Sequence, residues 1–359
     1  LKFDSELIPG ARNAVNVCVR VQPEEIVTVI ADRACAEIAA SLIAELTSGY
    51  GDRAKERPGE DETHAPSPPR PLAPSPRIRT FLLEDFGPRP HRHMPRPVLD
   101  ALETTDVSFY CVQAQMGEIG TRTEMLEIVE RRFIRHAHMV NITHEIMRQG
   151  MRADFLAVDA ISRKVWELAG TAQRIVGETP SGTHIEAEFS PHLKWLKTSG
   201  IISREKWGNL PGGEVLTSPA DVNGVYVVDA VVGDYLCERY GDLKNTPLRL
   251  TIERGRLVDA ECERADLVAD FLSYVATDEN SNRVGEFAIG TNIGVREPIG
   301  NILQDEKLPG IHIAFGNPYP RHTGADWTSS THIDVVARSW TIWLDDRKIM
   351  EDGRFLLEG

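Results

Sequence analysis

The feature that most constrains the fold is a change of rhythm along the chain. From Glu24 to about His136 the sequence alternates strand-like and helix-like runs. EEIVTVIAD (24–32) reads as a buried strand. CAEIAASLIAEL follows at helical spacing, then IRTFLLED as a strand, PRPVLDALETT as a helix and DVSFYCVQA as a strand. TEMLEIVERRFIRH reads as helical again, and His136 and His138 fall in that helical pattern, where residues two apart do not share a face. Such alternation predicts a mainly parallel sheet with crossover helices. From about Val165 strands predominate. AQRIVGETPSGTHIEAEF reads as two strands about a Pro-Ser-Gly turn, GVYVVDAVV as a strand, and LRLTIERGRLVDAECE as a hairpin turning at Arg254 and Gly255. ADLVADFLSYV reads as an amphipathic helix. The expectation is an α/β N-terminal domain over 1–170 and an α+β C-terminal catalytic domain over 171–359. A Pro-, Ser- and charge-rich insertion at about 51–77 has too little apolar content to pack.

Other classes of function are disfavoured by composition. The formal net charge of −14 argues against nucleic acid or anionic membrane as a partner. No apolar run reaches membrane-spanning length, and the first residues do not resemble a signal peptide. Five cysteines without a CxxC predict reduced thiols and a cytoplasmic protein. No glycine-rich phosphate loop follows any strand of the first half, so a nucleotide site is not expected there.

The chemistry concentrates in four segments of the second half. In HIDVV, His332 and Asp334 sit two apart in a strand pattern and share a face. IHIAF places His312 opposite Ile311, Ile313 and Phe315. RVGEFAIGTN holds Glu286 among apolar neighbours, where an unpartnered carboxylate is costly. WGNLPGGEVLTSP places Glu214 after a Pro-Gly-Gly run that reads as an exposed turn. Three carboxylates and two imidazoles suit a two-metal hydrolytic site, whose cations need anionic ligands between them. Nitrogen and oxygen ligands with no thiolate point to Zn, Co or Mn.

NLPGGEV, GEFAIGTN, DEK…GIHIAFGNPYP and THID resemble the signature segments of the thermophilic metallo-aminopeptidases of the aminopeptidase T and S type, in order and spacing. The resemblance is strong over about residues 200–340. It implies a dimeric, cytosolic exopeptidase hydrolysing peptides through a hydroxide held by two metals. Glu214, Glu286, His312, His332 and Asp334 match the ligand positions, and Tyr319 matches the active-site tyrosine, whose phenol can donate to an oxyanion. Glu286, in the most apolar setting, is expected to have base character. The insertion after Tyr50 departs from the family. The second half also resembles the mononuclear iron dioxygenases that open 2,5-dihydroxypyridine rings. They would use Fe(II) on a triad such as His312, His332 and Asp334. Under that reading Trp207, Phe287, Phe315 and Trp327 are available to stack on a flat ring, although they suit a peptide pocket or the core equally well.

Overall fold

The computed structural model describes residues 2–52 and 75–357. Most of the Pro-rich segment expected as an insertion lies outside the described residues. The described chain forms two compact units. One comprises Leu1–Arg152 with Ile201–Leu210, and the other Ala153–Gly200 with Pro211–Gly359. The first division therefore falls between Arg152 and Ala153, where the sequence suggested about residue 170. The helix Phe155–Ala169 goes with the second unit, and its buried residues Val165 and Ala169 join that unit's core.

The first unit is α/β, as expected. Its five-stranded sheet runs in the order Arg77–Leu82, Ile26–Ala31, Val107–Val112, Arg135–Val140, Gly208–Asn209, and every pairing is parallel. Ile30, Tyr110, Val112, Val98, Met125 and Val129 pack between sheet and helices. Sheets of this order bind ligands where strand order reverses, at the carboxyl ends of the strands. Here the Arg89 guanidinium occupies that position. It pairs with Asp32, just past the first strand, at 2.5 Å and with the Glu118 carboxylate, all three being buried.

One expectation in this unit is corrected. His136 and His138 lie on the strand Arg135–Val140, not on a helix. The preceding helix ends at Arg132, and Phe133 stands in the left-handed region at φ 54°. That position usually belongs to glycine, so the sequence carries no visible stop signal. On the strand the two imidazoles share a face. His136 Nε2 lies 3.1 Å from His138 Nδ1, and Ser108 Oγ lies 2.8 Å from His136 Nδ1. Trp207 packs on both rings.

The second unit is α+β. An antiparallel sheet of eight strands carries the predicted hairpin, Leu248–Glu253 with Arg256–Glu261, and Arg254 and Gly255 turn at positive φ. A five-stranded antiparallel sheet has the order His332–Val336, Gly310–Gly316, Val284–Gly290, Glu214–Thr217, Leu196–Thr198. Alternation gives this second sheet one apolar face. Val215, Phe287, Ile289, Ile311, Ile313, Phe315, Ile333 and Val335 all join the core shared with the eight-stranded sheet. Phe287 and Phe315 are therefore core residues, edge-on to Phe189 and Phe271. Among the described residues no helix is long and apolar enough to cross a membrane.

Candidate metal centre

The other face of the five-stranded sheet carries the site. The alternation that buries Ile333 and Val335 sends His332 and Asp334 to this face. His312 and Ala314 project between Ile311, Ile313 and Phe315 in the same way. Directly opposed residues of an antiparallel pair share a face. Glu286 pairs with Ala314 and Ala314 with Asp334, so one cross-strand row reads carboxylate, methyl, carboxylate. The next row pairs Ala288 with His312, and a third pairs Thr198, Glu214 and Gly290. Small residues between the polar ones leave room above the sheet. A bulky side chain at Ala314 should fill that room: Ala314→Leu is expected to abolish divalent-metal uptake. Retained metal content in the purified variant would show that the row is not the floor of the site.

Glu214 differs from its sequence reading. It is 6% exposed and begins a strand, so the Pro-Gly-Gly run does not form an exposed turn. Its glycines serve close packing. A Cβ on Gly212 would come within 2.3 Å of the Gly200 nitrogen, and one on Gly213, at φ 127°, within 2.8 Å of the Asn292 nitrogen. Only glycine lets these backbones approach, and the approach buries Glu214.

The expected ligand residues converge. His312 Nε2 lies 3.6 Å from Glu214 Oε2 and 3.5 Å from Glu286 Oε1. His332 Nε2 lies 3.7 Å from Glu286 Oε2 and 3.5 Å from Asp334 Oδ1. Glu286 thus turns one oxygen to each imidazole. The His332 Nδ1–H donates to the Asn317 carbonyl at 3.0 Å, which aims Nε2 at the carboxylates. Among the described residues, neither nitrogen of buried His312 has a hydrogen-bond partner. A buried imidazole with bare nitrogens, ringed by carboxylate oxygens just outside hydrogen-bond range, fits a divalent cation between them.

Two further residues belong to the cluster, and both escaped the sequence reading. Glu306 forms a potential ligand group with His312 and Asp334, beside the group Glu214, Glu286 and His312. Within each group the ligand atoms lie within 4.8 Å of one another. Lys307, 1% exposed, places its Nζ 2.7 Å from Glu214 Oε1 and also against Glu306. Adjacent charges in DEK read as a solvated surface, because nothing in the sequence signals that the chain there turns inward.

The pKa values reflect this crowding. Burial would lower His332, but Asp334 above all, then Glu286 and the Asn317 carbonyl, pushes it up to about 10. His312 is raised against burial by Glu286 and Glu214. Burial pushes Glu306 up to about 8 despite Lys307. Lys307 is held charged, since Glu214 and Glu306 outweigh its desolvation. Tyr319 sits at φ 51°, its ring centroid 4.8 Å from that of His332. Desolvation of its hydroxyl, then the charges of Glu286 and Asp334, keep the phenol protonated. Just before His332, Asp278 accepts hydrogen bonds from Ser329 and Ser330, which fixes the approach to the strand.

The sequence profile of the thermophilic metalloproteases (M29) matches residues 163–342, half of the chain. The chain belongs to this family. It is accordingly a metal-dependent peptidase, a hydrolase that binds divalent metal. No curated protein matches it in sequence. Two solved structures are similar along the whole chain. The 2,5-dihydroxypyridine dioxygenase from Pseudomonas putida KT2440 is 14% identical, with 99% of each chain covered and a TM-score of 0.65. AmpT from Thermus thermophilus is 15% identical, covers 98% of this chain and 99% of its own, and gives a TM-score of 0.64. At these identities the likeness is one of fold. The family profile covers the four segments that hold Glu214, Glu286, His312, His332 and Asp334.

Proposed function

We propose that the protein is an aminopeptidase that removes N-terminal residues from peptides with the help of two divalent cations, zinc, cobalt or manganese. The observation that carries this reading is the number of carboxylates gathered at the site. Glu214, Glu286, Glu306 and Asp334 face two imidazoles and the Lys307 ammonium. Metal ligation requires deprotonated carboxylates and neutral imidazoles; in that state the charge is −4 from the carboxylates and +1 from Lys307, leaving −3. A single divalent cation leaves that sum negative, whereas two bring it to +1, which one further anion cancels.

Glu214, Glu286, His312, His332, Asp334 and Glu306 would hold the cations, which supply Lewis acidity and lower the pKa of water when bound. Glu286 lies between both imidazoles, placed to receive a proton from water in the site. The Tyr319 phenol, kept protonated, would donate to the oxyanion of the tetrahedral intermediate. The free amine of a peptide N-terminus would be held by a carboxylate or a cation of the site, a contact that a blocked terminus cannot make. AmpT shares the fold.

A second reading is a mononuclear Fe(II) ring-cleaving dioxygenase acting on a hydroxypyridine-like ring. One observation favours it: His312, His332 and Asp334 make a two-histidine, one-carboxylate set on the fold that the Pseudomonas dioxygenase shares. It leaves Glu214, Glu286 and Glu306 without a role, and it places no stacking partner at Phe287 or Phe315, which the core absorbs.

Elemental analysis of protein purified without added metal separates the two. Two divalent metals per chain are expected. A chelator should abolish release of arylamine from aminoacyl arylamides, and the N-acetylated analogues should be inert. One iron per chain, with oxygen uptake on a hydroxypyridine, would overturn the proposal. We also propose a cytoplasmic homodimer, consistent with five free cysteines of which four are buried. A monomer in sedimentation velocity would refute the dimer.

A further inference from the structure

The two oxygens of Glu214 have different surroundings. Oε1 accepts from Thr198 Oγ1 at 2.8 Å and from Lys307 Nζ at 2.7 Å. Oε2 faces His312 Nε2 at 3.6 Å and has no such donor among the described residues. Both donors are fixed. Thr198 is registered directly across the antiparallel ladder from Glu214, so its side chain rises on the same face. Lys307 is buried, and the Glu306 carboxylate holds its ammonium from the other side. A buried ammonium so paired has no alternative partner in solvent, so it cannot swing away at low cost.

We propose that Thr198 and Lys307 are positioning residues that occupy Glu214 Oε1 and so confine Glu214 to ligation through Oε2 alone. This rests on the metal reading above and deepens it. A carboxylate free on both oxygens can chelate one cation and raise its coordination number. That fills a position which a hydrolytic centre keeps open for water or substrate. Lys307 also offsets the fourth carboxylate, Glu306.

The test uses the cobalt-substituted full chain and its visible absorption, whose intensity falls as coordination rises from four or five towards six. The variants are Thr198→Val, which removes the hydroxyl at nearly constant shape, and Lys307→Met, which removes the charge and keeps the stem. Both are expected to bind cobalt with weaker absorption bands. Thr198→Val should also lower cobalt affinity about 10-fold, the usual cost of losing a group that orients a ligand. A purely structural role would lower the thermal stability of the metal-free chain and leave the bands of the bound cobalt unchanged. Bands of wild-type intensity in Thr198→Val, with cobalt bound, would overturn the positioning role while the metal reading stands. If wild-type protein takes up no cobalt under any condition, the metal reading fails and the positioning role falls with it. Should Lys307→Met not fold, Thr198→Val decides alone.

Discussion

Glu286→Gln is expected to reduce peptide hydrolysis by roughly 10²–10⁴-fold, the range for loss of a positioned acid–base group, and to remove metal-dependent stabilisation as well. The side chain is 5% exposed and turns one oxygen to each imidazole. Glutamine keeps the volume, so no cavity opens, but it loses the charge and one acceptor oxygen. The metal-free variant should stay within about 1 kcal/mol of wild type, because relief among four crowded carboxylates offsets the lost attraction to His332. The difference should appear when metal is added. At a metal concentration 100 times the dissociation constant, a ligand specific to the folded state stabilises by about 2.7 kcal/mol. Wild type should gain that stability and Glu286→Gln should not. Thermal melts of both proteins with and without metal make the comparison. An equal metal-induced shift in the variant would remove Glu286 from the centre.

The readable parts of the site were those that obey the period of a strand. His332 and Asp334, like Glu286 ahead of Phe287 and Ile289, belong to a two-residue alternation whose apolar half is buried in the core. Glu306 and Lys307 have no such period. They follow the short helix Ile302–Asp305, and the backbone path there buries Lys307 and leaves the Glu306 side chain 14% exposed. That path depends on contacts distant in sequence, as when a Cβ on Gly290 would meet the Leu308 carbonyl at 2.0 Å. Phe287 and Phe315 illustrate the converse. Aromatic residues near a site in sequence point away from it when they occupy the alternate positions of the strand. In the first unit the parallel sheet was legible from its alternating runs, whereas the end of the helix before His136 was not. Phe133 takes a left-handed conformation in which its backbone N–H caps the helix on the Val129 and Glu130 carbonyls, and which local propensity does not favour.

The strand that carries His136 and His138 should cost the fold stability in mild acid. His136 is fully buried, and burial pushes its pKa down to about 3. His138 is lowered by burial first and then by His136 and Arg122. The unfolded chain binds a proton at each near pH 6.5, and the folded chain refuses it. Both folded pKa values lie below the unfolded value. The contribution is therefore fully present above about pH 6.5 and is lost as pH falls towards the folded values. The slope is about 1.4 kcal/mol per pH unit for each histidine. From pH 7.5 to pH 5 the two together should cost about 4 kcal/mol, a large part of the stability of an ordinary domain. His138→Phe isolates the effect. The ring of His138 stacks on Tyr110 at 5.3 Å and 12°, a geometry phenylalanine can keep. The variant gives up the contact with His136, so it should be less stable than wild type at pH 7.5 by about 1 kcal/mol. Its stability should then fall more gently with acidity, by about 1.4 kcal/mol less per pH unit, until the two curves cross. Urea denaturation of metal-free protein at pH 7.5, 6.5, 5.5 and 5.0 measures both slopes. Parallel slopes would mean that His138 is protonated in the folded chain and that the imidazole pair is not the acid-labile point of its sheet.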